Sequence, residues 1–562
     1  MTLQHEITRR GFLQMASAGA VLPLLAACSS SNRAIADTRS GTIAASASGN
    51  IDTDTTTIDF QPDVELLLSA RPGSATIRPG DPTNVWTIAG ELLQGDPNAL
   101  QPVPESYLGP IIRARTGQRV RIHFTNELSE ASILHWHGLH VPADMDGHPR
   151  FAIGPGNTYI YDFEVRNRAG TYWYHSHPHG RTGPQVYAGM AGLFLVSDEE
   201  EDAVGLPGGE YDVPLVIQDR TLDGNNQLVY QTNGMMDQMM GFLGQEIWVN
   251  GQPNYSLSVA TRAYRLRLLN GSNSRIYKLG WDDGAPLTVI GTDGGLLESA
   301  VQRPYIMLAP GERVELWVDF SSRRVGSEMT LRSLPFTSPA GMGGMMGGGM
   351  MGGMMGGGMG NRQGGMMNSA QTSPSMAQGA AFPILTVRIE REVQETIALP
   401  SRLSSINRPS PAEAVNVNNP RTIAMQMRMP GGWTLNGRTF DMTGVANDEI
   451  VRLGSTEVWE FVNQGGGMGM MGGMMLPHPM HVHGESFQVI ERQVDTNMRS
   501  MWETVSDGYV DEGWKDTVLV MSGERVKILR RFSDYTGMYL VHCHNLEHED
   551  MGMMRNFRVD PA

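Results

Sequence analysis

The chain has 562 residues, of which 40% are hydrophobic, so it is long enough for three or four domains with packed cores. Its formal net charge of -16 at pH 7 argues against nucleic acid and against anionic membrane surfaces as partners. It has only two cysteines, Cys28 and Cys543, which limits the scope for a disulfide framework.

The first residues predict an export signal. Thr8–Leu13 (TRRGFL) contains the paired arginines of a twin-arginine signal, and the apolar run that follows is shorter than a membrane span. Residues 25–28 (LAAC) resemble the cleavage site of a bacterial lipoprotein, which predicts removal of residues 1–27 and a lipid on Cys28. An ordinary signal peptide that contains a cysteine is the alternative.

This signal predicts a periplasmic protein exported by the twin-arginine route. Its only contact with a membrane is expected through the lipid on Cys28. Residues 28–58 are rich in Ser, Thr, Ala and Gly and are expected to form a flexible tether. The mature chain then has one free thiol, on Cys543, and a monomer is expected.

The rest of the chain has the pattern of β-strands. Apolar and polar residues alternate with a period of two in several segments, and Gly, Asn and Pro turns are frequent between them. Three such segments share a turn, an alternating strand and a closing Asn at equal spacing: Gly117–Asn126, Thr261–Asn270 and Gly454–Asn463. The pattern predicts three related, antiparallel β-sandwich domains.

Domain boundaries follow from composition. The acidic run Ser197–Asp202 and the Pro- and Ser-rich stretch 399–414 favour domains over residues 59–198, 199–395 and 396–562. The second domain carries a Met- and Gly-rich insert at 340–378, which is expected to lack a packed core.

Histidine pairs dominate the chemistry of the sequence. Four His-x-His pairs occur, two in the first predicted domain and two in the third. Side chains two residues apart on a strand point to the same face, so each pair can present two imidazoles to one place. Duplicated sites in duplicated domains are expected to meet at an interface. The pairs are His135/His137, His175/His177, His481/His483 and His542/His544.

A second set of residues matches a blue copper centre. Cys543 lies between the last two paired histidines, and with His478, His548 and Met553 it offers a thiolate, two imidazoles and a weak axial thioether. Met551 and Met554 are rival axial ligands. The eight paired histidines remain, enough for three coppers with two, three and three imidazoles. Because His542 and His544 point away from Cys543, a short covalent path is predicted between the two sites.

These motifs carry a family resemblance. HWHG (135–138), HSH (175–177), HPMHVHG (478–484) and HCH-x3-H-x4-M (542–553) resemble the four copper motifs of the multicopper oxidases, within the branch of bacterial laccases and copper-efflux oxidases. The resemblance covers roughly residues 60–562. It implies an all-β chain of three cupredoxin-like Greek-key sandwiches. It also implies four bound copper ions: one type 1, one type 2 and two type 3.

The resemblance also implies residue roles. His135 and His481 would hold the type 2 copper. Two acids match positions where the family has carboxylates that supply protons, namely Asp146 and Glu549. His140, His148 and His179 flank the motifs and could support the ligands. The type 3 coppers would be held by two trios, His137 with His175 and His544, and His177 with His483 and His542.

The number and clustering of the methionines favour one class of reductant. The chain has 38 methionines, concentrated in Met342–Met376, Met468–Met475 and Met235–Met240. Thioethers are soft ligands that prefer Cu(I), so these segments favour collection and delivery of cuprous ions. Tolerated filler in Gly-rich linkers is the alternative. The insert also departs from the copper-efflux branch, where it lies in the third domain, and no carboxylate precedes the third motif within Gly472–Pro477.

The sequence therefore predicts an oxidoreductase with O2 as acceptor. The leading hypothesis is one-electron oxidation of Cu(I) in copper tolerance, coupled to four-electron reduction of O2 to water. A laccase acting on phenols or aromatic amines, or an Mn(II) oxidase, is the alternative. A non-enzymatic, Met-rich lipoprotein that sequesters copper is less favoured, because storage needs no paired histidines.

Overall fold

The computed structural model describes residues 60–231, 234–338, 376–395, 397–428, 432–463 and 475–562. The predicted export signal, Cys28 and the tether lie outside the described residues. So do nearly all of the Met-rich insert and of the segment that precedes His478. Among the described residues, no helix has the length and apolar character needed to cross a bilayer.

Sandwich 1 is built from two facing sheets, with strand orders β2-β1-β5-β7 and β3-β4-β9-β8-β6. Two short helices, α1 (Thr182–Ala188) and α2 (Glu199–Val204), accompany it. The strands are β1 (Val64–Ala75), β2 (Thr83–Gln94), β3 (Leu100–Gln101), β4 (Ile111–Arg115), β5 (Arg119–Asn126), β6 (Leu134–His137), β7 (Thr158–Glu164), β8 (Gly170–Ser176) and β9 (Ala191–Ser197).

Sandwich 2 has sheet orders β12-β11-β10-β14-β19-β16-β17 and β13-β21-β20-β15-β18. A Met-rich helix, α3 (Met235–Met240), lies in the long connection after its first strand. The strands are β10 (Asp212–Arg220), β11 (Glu246–Val249), β12 (Gln252–Pro253), β13 (Ser256–Ala260), β14 (Ala263–Asn270), β15 (Tyr277–Trp281), β16 (Leu287–Thr292), β17 (Gly295–Arg303), β18 (Ile306–Leu308), β19 (Arg313–Asp319), β20 (Glu328–Ser333) and β21 (Phe382–Arg391).

Sandwich 3 has sheet orders β23-β22-β25-β29-β27 and β24-β31-β30-β26-β28. Its helices are α4 (Arg499–Trp502) and α5 (Leu546–Asp550). The strands are β22 (Arg421–Arg428), β23 (Gly432–Leu435), β24 (Ile450–Arg452), β25 (Thr456–Val462), β26 (His478–Val482), β27 (Phe487–Val494), β28 (Thr517–Val520), β29 (Glu524–Arg531), β30 (Gly537–Cys543) and β31 (Met554–Asp560).

The three repeated segments occupy equivalent places. They form β5, β14 and β25, and each pairs in parallel with the first strand of its sandwich and antiparallel with a later one. The closing residues Asn126, Asn270 and Asn463 each donate from Nδ2 to two backbone carbonyls. The predicted all-β fold of three sandwiches is confirmed. The domain boundaries themselves stay predictions.

The expected antiparallel pairing needs one correction. Each sheet contains one parallel pair among its antiparallel pairs, because the Greek-key crossings bring non-adjacent strands side by side. A period of two in the sequence does not distinguish these directions. The polar face of β14 is buried as well: Arg265 pairs with Glu201 of α2, next to sandwich 1, and Arg265 and Arg267 both pair with Glu315 on the neighbouring strand β19.

Candidate metal centres

Neighbouring strands bring the histidine pairs together. In sandwich 1, β6 and β8 are adjacent, and His135 pairs with His175 in their register. In sandwich 3, β26 and β30 are adjacent, and His481 pairs with His542. All eight paired histidines are buried. The two groups of four imidazoles face each other between the outer sandwiches, as the repeats predicted.

The structure groups six of these imidazoles into the two trios implied by the resemblance. In each trio, one ring nitrogen from each histidine lies within 4.8 Å of the corresponding nitrogens of the other two, close enough to hold one metal ion. Each trio contains histidines of both outer sandwiches. One trio is His137, His175 and His544, and the other is His177, His483 and His542.

The remaining two histidines face each other as a separate pair. Nε2 of His135 lies 3.4 Å from Nε2 of His481. Their Nδ1 atoms are occupied, because His135 donates to the carbonyl of Asp146 at 2.6 Å and His481 to that of Asp516 at 2.9 Å. A hydrogen bond at Nδ1 leaves the Nε2 lone pair free, so both lone pairs point at one place.

The histidine cluster fits a bound cation. Within the described part of the chain, Nδ1 of His137, Nε2 of His175 and both ring nitrogens of His544 are buried and lack a hydrogen-bond partner. A buried unsatisfied nitrogen is costly unless a metal completes it. Burial lowers the pKa of His175 to about 3 and that of His177 to about 4, so both rings are neutral and have lone pairs to offer.

The second candidate centre lies inside sandwich 3. Sγ of Cys543 is 3.4 Å from Nδ1 of His478 and 3.7 Å from Nδ1 of His548, and the two nitrogens are 3.3 Å apart. Burial raises the pKa of the Cys543 thiol above its ordinary value. A thiolate here therefore needs a cation, and a sulfur with two imidazoles is the donor set of a blue copper site.

Three methionines compete for the axial position. Met553 is fully buried in the same core cluster as Cys543, and its carbonyl accepts a hydrogen bond of 3.1 Å from the Cys543 amide. Met551 is only partly buried beside that cluster. Met554 begins β31, where its backbone pairs with His542. These placements favour Met553, which the spacing of the motif also favoured.

The two predicted acids each contact the histidine cluster. Oδ2 of Asp146 accepts a hydrogen bond of 2.6 Å from Nδ1 of His483. Oε2 of Glu549 lies 3.2 Å from Nδ1 of His542, and Oε1 lies 3.6 Å from Nε2 of His177. Burial raises the pKa of Asp146, with a smaller opposing effect from a buried arginine.

The pKa of Glu549 is displaced in the opposite direction. Burial alone would raise it, but electrostatic interaction with the imidazoles of His177 and His542, together with a hydrogen bond to His542, lowers it below the ordinary range. Two carboxyl groups of opposite tendency at one site suit proton donation and acceptance.

The flanking histidines have partners outside the paired imidazoles. His140 donates to Asp534 at 2.5 Å, and His148 bonds Asn556 at 2.9 Å. The ring of His179 packs on Phe440. These contacts link the outer sandwiches or hold the surrounding loops, and a supporting role for these three histidines stays a prediction.

Several residues of the site lie outside the copper motifs, and of these only Met239 belongs to a segment that the sequence singled out. Trp433 packs against the rings of His478 and His548, with centroids 4.6 and 4.8 Å away. The carbonyl of Met239 on α3 accepts hydrogen bonds from both His548 Nε2, at 3.0 Å, and Trp433 Nε1, at 2.9 Å. Asp516 contacts the histidine cluster from the loop before β28. None of these residues lies in a metal-ligand spacing.

Comparisons with known proteins find similar sequences and similar folds. Two family models described as multicopper oxidase match residues 81–201 and 411–562. A laccase of Bacillus stratosphericus is 30% identical over 526 residues, which cover 84% of this chain and 90% of the relative. Similar solved structures include the multicopper oxidase McoA of Aquifex aeolicus, with 33% identity, a TM-score of 0.70, and coverage of 89% of this chain and 97% of that one. A metallo-oxidase of Campylobacter jejuni gives 25% identity, a TM-score of 0.65, and coverage of 89% and 91%.

Proposed function

The chain belongs to the multicopper oxidase family, among its bacterial laccase-like members, and on that premise we propose that it oxidises Cu(I) with O2 as the electron acceptor. The family implies copper cofactors, O2 and a reductant. When bound, copper would supply one-electron redox chemistry at the Cys543 centre and four-electron reduction of O2 to water at the histidine cluster. In this proposal one copper is type 1, one is type 2 and two are type 3.

The protein's own residues have separate roles in electron transfer, proton transfer and exclusion of water. Cys543 is held between His542 and His544, so the sulfur of one centre and two imidazoles of the other share adjoining peptide units. Asp146 and Glu549 hold and move protons at the Nδ1 atoms of His483 and His542. Burial of all eight paired imidazoles excludes bulk water from the place where O2 is reduced.

The observation that carries the choice of Cu(I) is the contact between α3 and the Cys543 centre. His548 is fully buried, and its Nε2 edge is covered by the carbonyl of Met239. On the same helix Met235 and Met236 are 68% and 56% exposed. The helix whose backbone contacts His548 therefore also presents soft thioethers to solvent. In this proposal they bind Cu(I) near the imidazole through which electrons enter.

Oxidation of phenols or aromatic amines is the second candidate. The laccase of Bacillus stratosphericus supports it by its name. The covered edge of His548 argues against direct contact with an aromatic ring. The metallo-oxidase of Campylobacter jejuni supports a metal reductant by its name. Mn(II) oxidation is a further alternative, and copper sequestration without turnover is disfavoured because two closed histidine trios are unnecessary for storage.

A role in copper tolerance also fits the proposed location. The twin-arginine signal and Cys28 favour a periplasmic, lipid-anchored protein. Cuprous ions that enter or leave the cell would meet the enzyme there. Export of a folded protein suits an enzyme that binds its cofactors through residues of two different sandwiches.

The test compares reductants on one preparation. Oxygen uptake is measured with Cu(I), Mn(II) and a phenol, using the copper-loaded protein and a Met235→Leu/Met236→Leu variant. Leucine keeps the apolar volume but removes the thioether, so kcat/KM for Cu(I) should fall several-fold while phenol turnover is unchanged.

The matched control is Met501→Leu, which alters a partly buried methionine on α4. It should leave Cu(I) oxidation at the original rate. Equal Cu(I) turnover in the double variant and the original protein, or faster turnover of the phenol than of Cu(I), would overturn the proposal.

A further inference from the structure

Sandwich 2 supplies none of the proposed copper ligands, yet its loop before β19 reaches the histidine cluster. Gly311 has a φ of 85°, and a Cβ atom there would lie 3.0 Å from the ring of His544 and 3.1 Å from that of His137. Two residues later stands Arg313, which is fully buried. The backbone of sandwich 2 therefore packs directly on imidazoles of the other two sandwiches.

Every donor position of the Arg313 guanidinium is used. Nε donates to the carbonyl of Thr171, Nη1 to that of Gly311 and Nη2 to that of Asp293, at 2.8 to 3.0 Å. Nη1 and Nη2 also donate to the two carboxylate oxygens of Asp516, at 2.8 and 2.5 Å. This bidentate pair fixes the plane and rotation of the Asp516 carboxylate.

Asp516 in turn fixes two imidazoles of the cluster. Oδ1 accepts a hydrogen bond of 3.0 Å from Nε2 of His137, and the backbone carbonyl accepts one of 2.9 Å from Nδ1 of His481. These bonds leave Nδ1 of His137 and Nε2 of His481 as the nitrogens with free lone pairs. One residue thus sets the ligand atom and the ring direction for a type 2 and a type 3 histidine.

The loop that carries Asp516 is held to sandwich 2 by further contacts. Nζ of Lys515 lies 3.1 Å from carboxylate oxygens of both Asp293 and Glu312. Oδ2 of Asp293 also accepts from the amides of Asp516 and Thr517 at 3.3 Å. Buried ion pairs therefore hold the loop to sandwich 2: Lys515 of the loop pairs with two carboxylates of sandwich 2, and Asp516 of the loop pairs with Arg313.

We propose that Arg313 is a positioning residue through which sandwich 2 sets the geometry, and hence the copper affinity, of the histidine cluster. The inference rests on the copper cluster of the proposed function but does not depend on which reductant is used. Its readout is copper content and spectroscopy, so it can fail while Cu(I) oxidation stands, and the reverse.

The experiment uses Arg313→Lys in the copper-loaded full chain. Lysine keeps the positive charge, but its ammonium cannot donate two parallel bonds to Asp516. A Cu(II) chelator of known affinity is titrated against the protein, and the type 2 electron paramagnetic resonance signal is followed. Loss of a group that orients metal ligands typically lowers metal affinity about 10–100-fold, and we expect a fall of that size in the affinity for type 2 copper. The blue absorption of the Cys543 centre serves as an internal measure of folded protein.

Arg275→Lys is the matched control. Arg275 is an equally buried arginine of sandwich 2, and it donates to Asp219 at 2.8 Å and to the carbonyl of Gly244 at 2.7 Å. It should leave the affinity for type 2 copper, measured by the same chelator titration, unchanged. An unchanged affinity in Arg313→Lys would overturn the proposal, because Arg313 would then have no effect on copper binding. An equal loss of affinity in both variants would also overturn it, because the loss would then reflect general destabilisation.

Discussion

The carbonyl oxygen of Cys543 accepts a hydrogen bond of 3.1 Å from Nδ1 of His542, its neighbour on β30. The two candidate centres are therefore connected twice, once through the shared main chain and once through this hydrogen bond. The bond also directs Nε2 of His542 towards His177 and His483, at 3.5 and 3.1 Å. A single strand end thus positions a sulfur for one centre and an imidazole for the other.

Cys543→Ser should abolish both the blue thiolate-to-copper absorption and all turnover. A serine hydroxyl does not ionise near neutral pH and is a hard donor, so it cannot replace the thiolate. Absorption spectra and oxygen uptake measure the two losses. Because the histidine cluster keeps all of its ligands, the type 2 resonance signal should persist, and its disappearance would contradict the separation of the two centres.

His135→Ala should have the complementary effect. His135 and His481 face each other at 3.4 Å, and removal of one leaves the other as a lone imidazole for type 2 copper. The blue absorption should remain, since no ligand of the Cys543 centre changes, while oxygen uptake stops. A variant that still reduced O2 at the original rate would show that the pair does not hold a catalytic copper.

The sequence reached the candidate ligands because copper ligands occur in short local motifs. His-x-His pairs on strands, and the Cys-x4-His-x4-Met run, keep chemistry and spacing within a single strand or turn. The structure brings those residues together. Fold class was equally accessible, because the closing Asn126, Asn270 and Asn463 mark the same corner in each repeat.

The supporting residues could not be found in this way. Asp516 is 379 positions from His137, Arg313 is 203 from Asp516 and Met239 is 309 from His548. Such contacts exist only after the three sandwiches have packed, and no local periodicity records them. The direction of strand pairing was missed for the same reason, since it depends on crossings between sheets rather than on the alternation within a strand.

Met553→Leu should keep activity but raise the reduction potential of the blue copper. Leucine has nearly the same volume, so the stability cost should stay below about 1.5 kcal/mol, while a weak axial donor to oxidised copper is lost. Redox titration of the blue band measures the change. An unchanged potential would indicate Met551 or Met554 as the axial ligand, and the same substitution at each of those positions distinguishes them.

Glu549→Gln should slow O2 reduction without slowing electron entry. Glutamine keeps the shape of the side chain beside His542 and His177 but cannot transfer a proton. General acid–base groups contribute about 10²–10⁴-fold, so kcat should fall by an amount in that range. Anaerobic reduction of the blue band by Cu(I) should proceed at the original rate. Equal slowing of both steps would contradict a role in proton transfer.

The ion pairs of Asp534, at the contact between the outer sandwiches, should make the stability of the protein depend on pH. It accepts a hydrogen bond of 2.5 Å from His140 and pairs with Arg166. Partial burial alone would raise the pKa of Asp534, but these partners lower it to about 2, below the ordinary value of 3.8. A lowered pKa stabilises the fold above pH 3.8, and that contribution disappears as the pH falls through 2.

Asp534→Asn should therefore lower the unfolding midpoint at pH 7 by an amount that corresponds to about 1 kcal/mol, after allowance for solvent screening of a partly exposed pair. The difference from the original protein should shrink from about pH 4 downwards, because the protonated carboxyl then resembles the amide. Thermal unfolding measured between pH 7 and pH 3 tests this. Asp560→Asn is the control, since Asp560 pairs with Arg558 of its own strand, β31, and, among the described residues, makes no contact of this kind between the outer sandwiches. A difference that stayed constant over this pH range would contradict the ion pair as its cause.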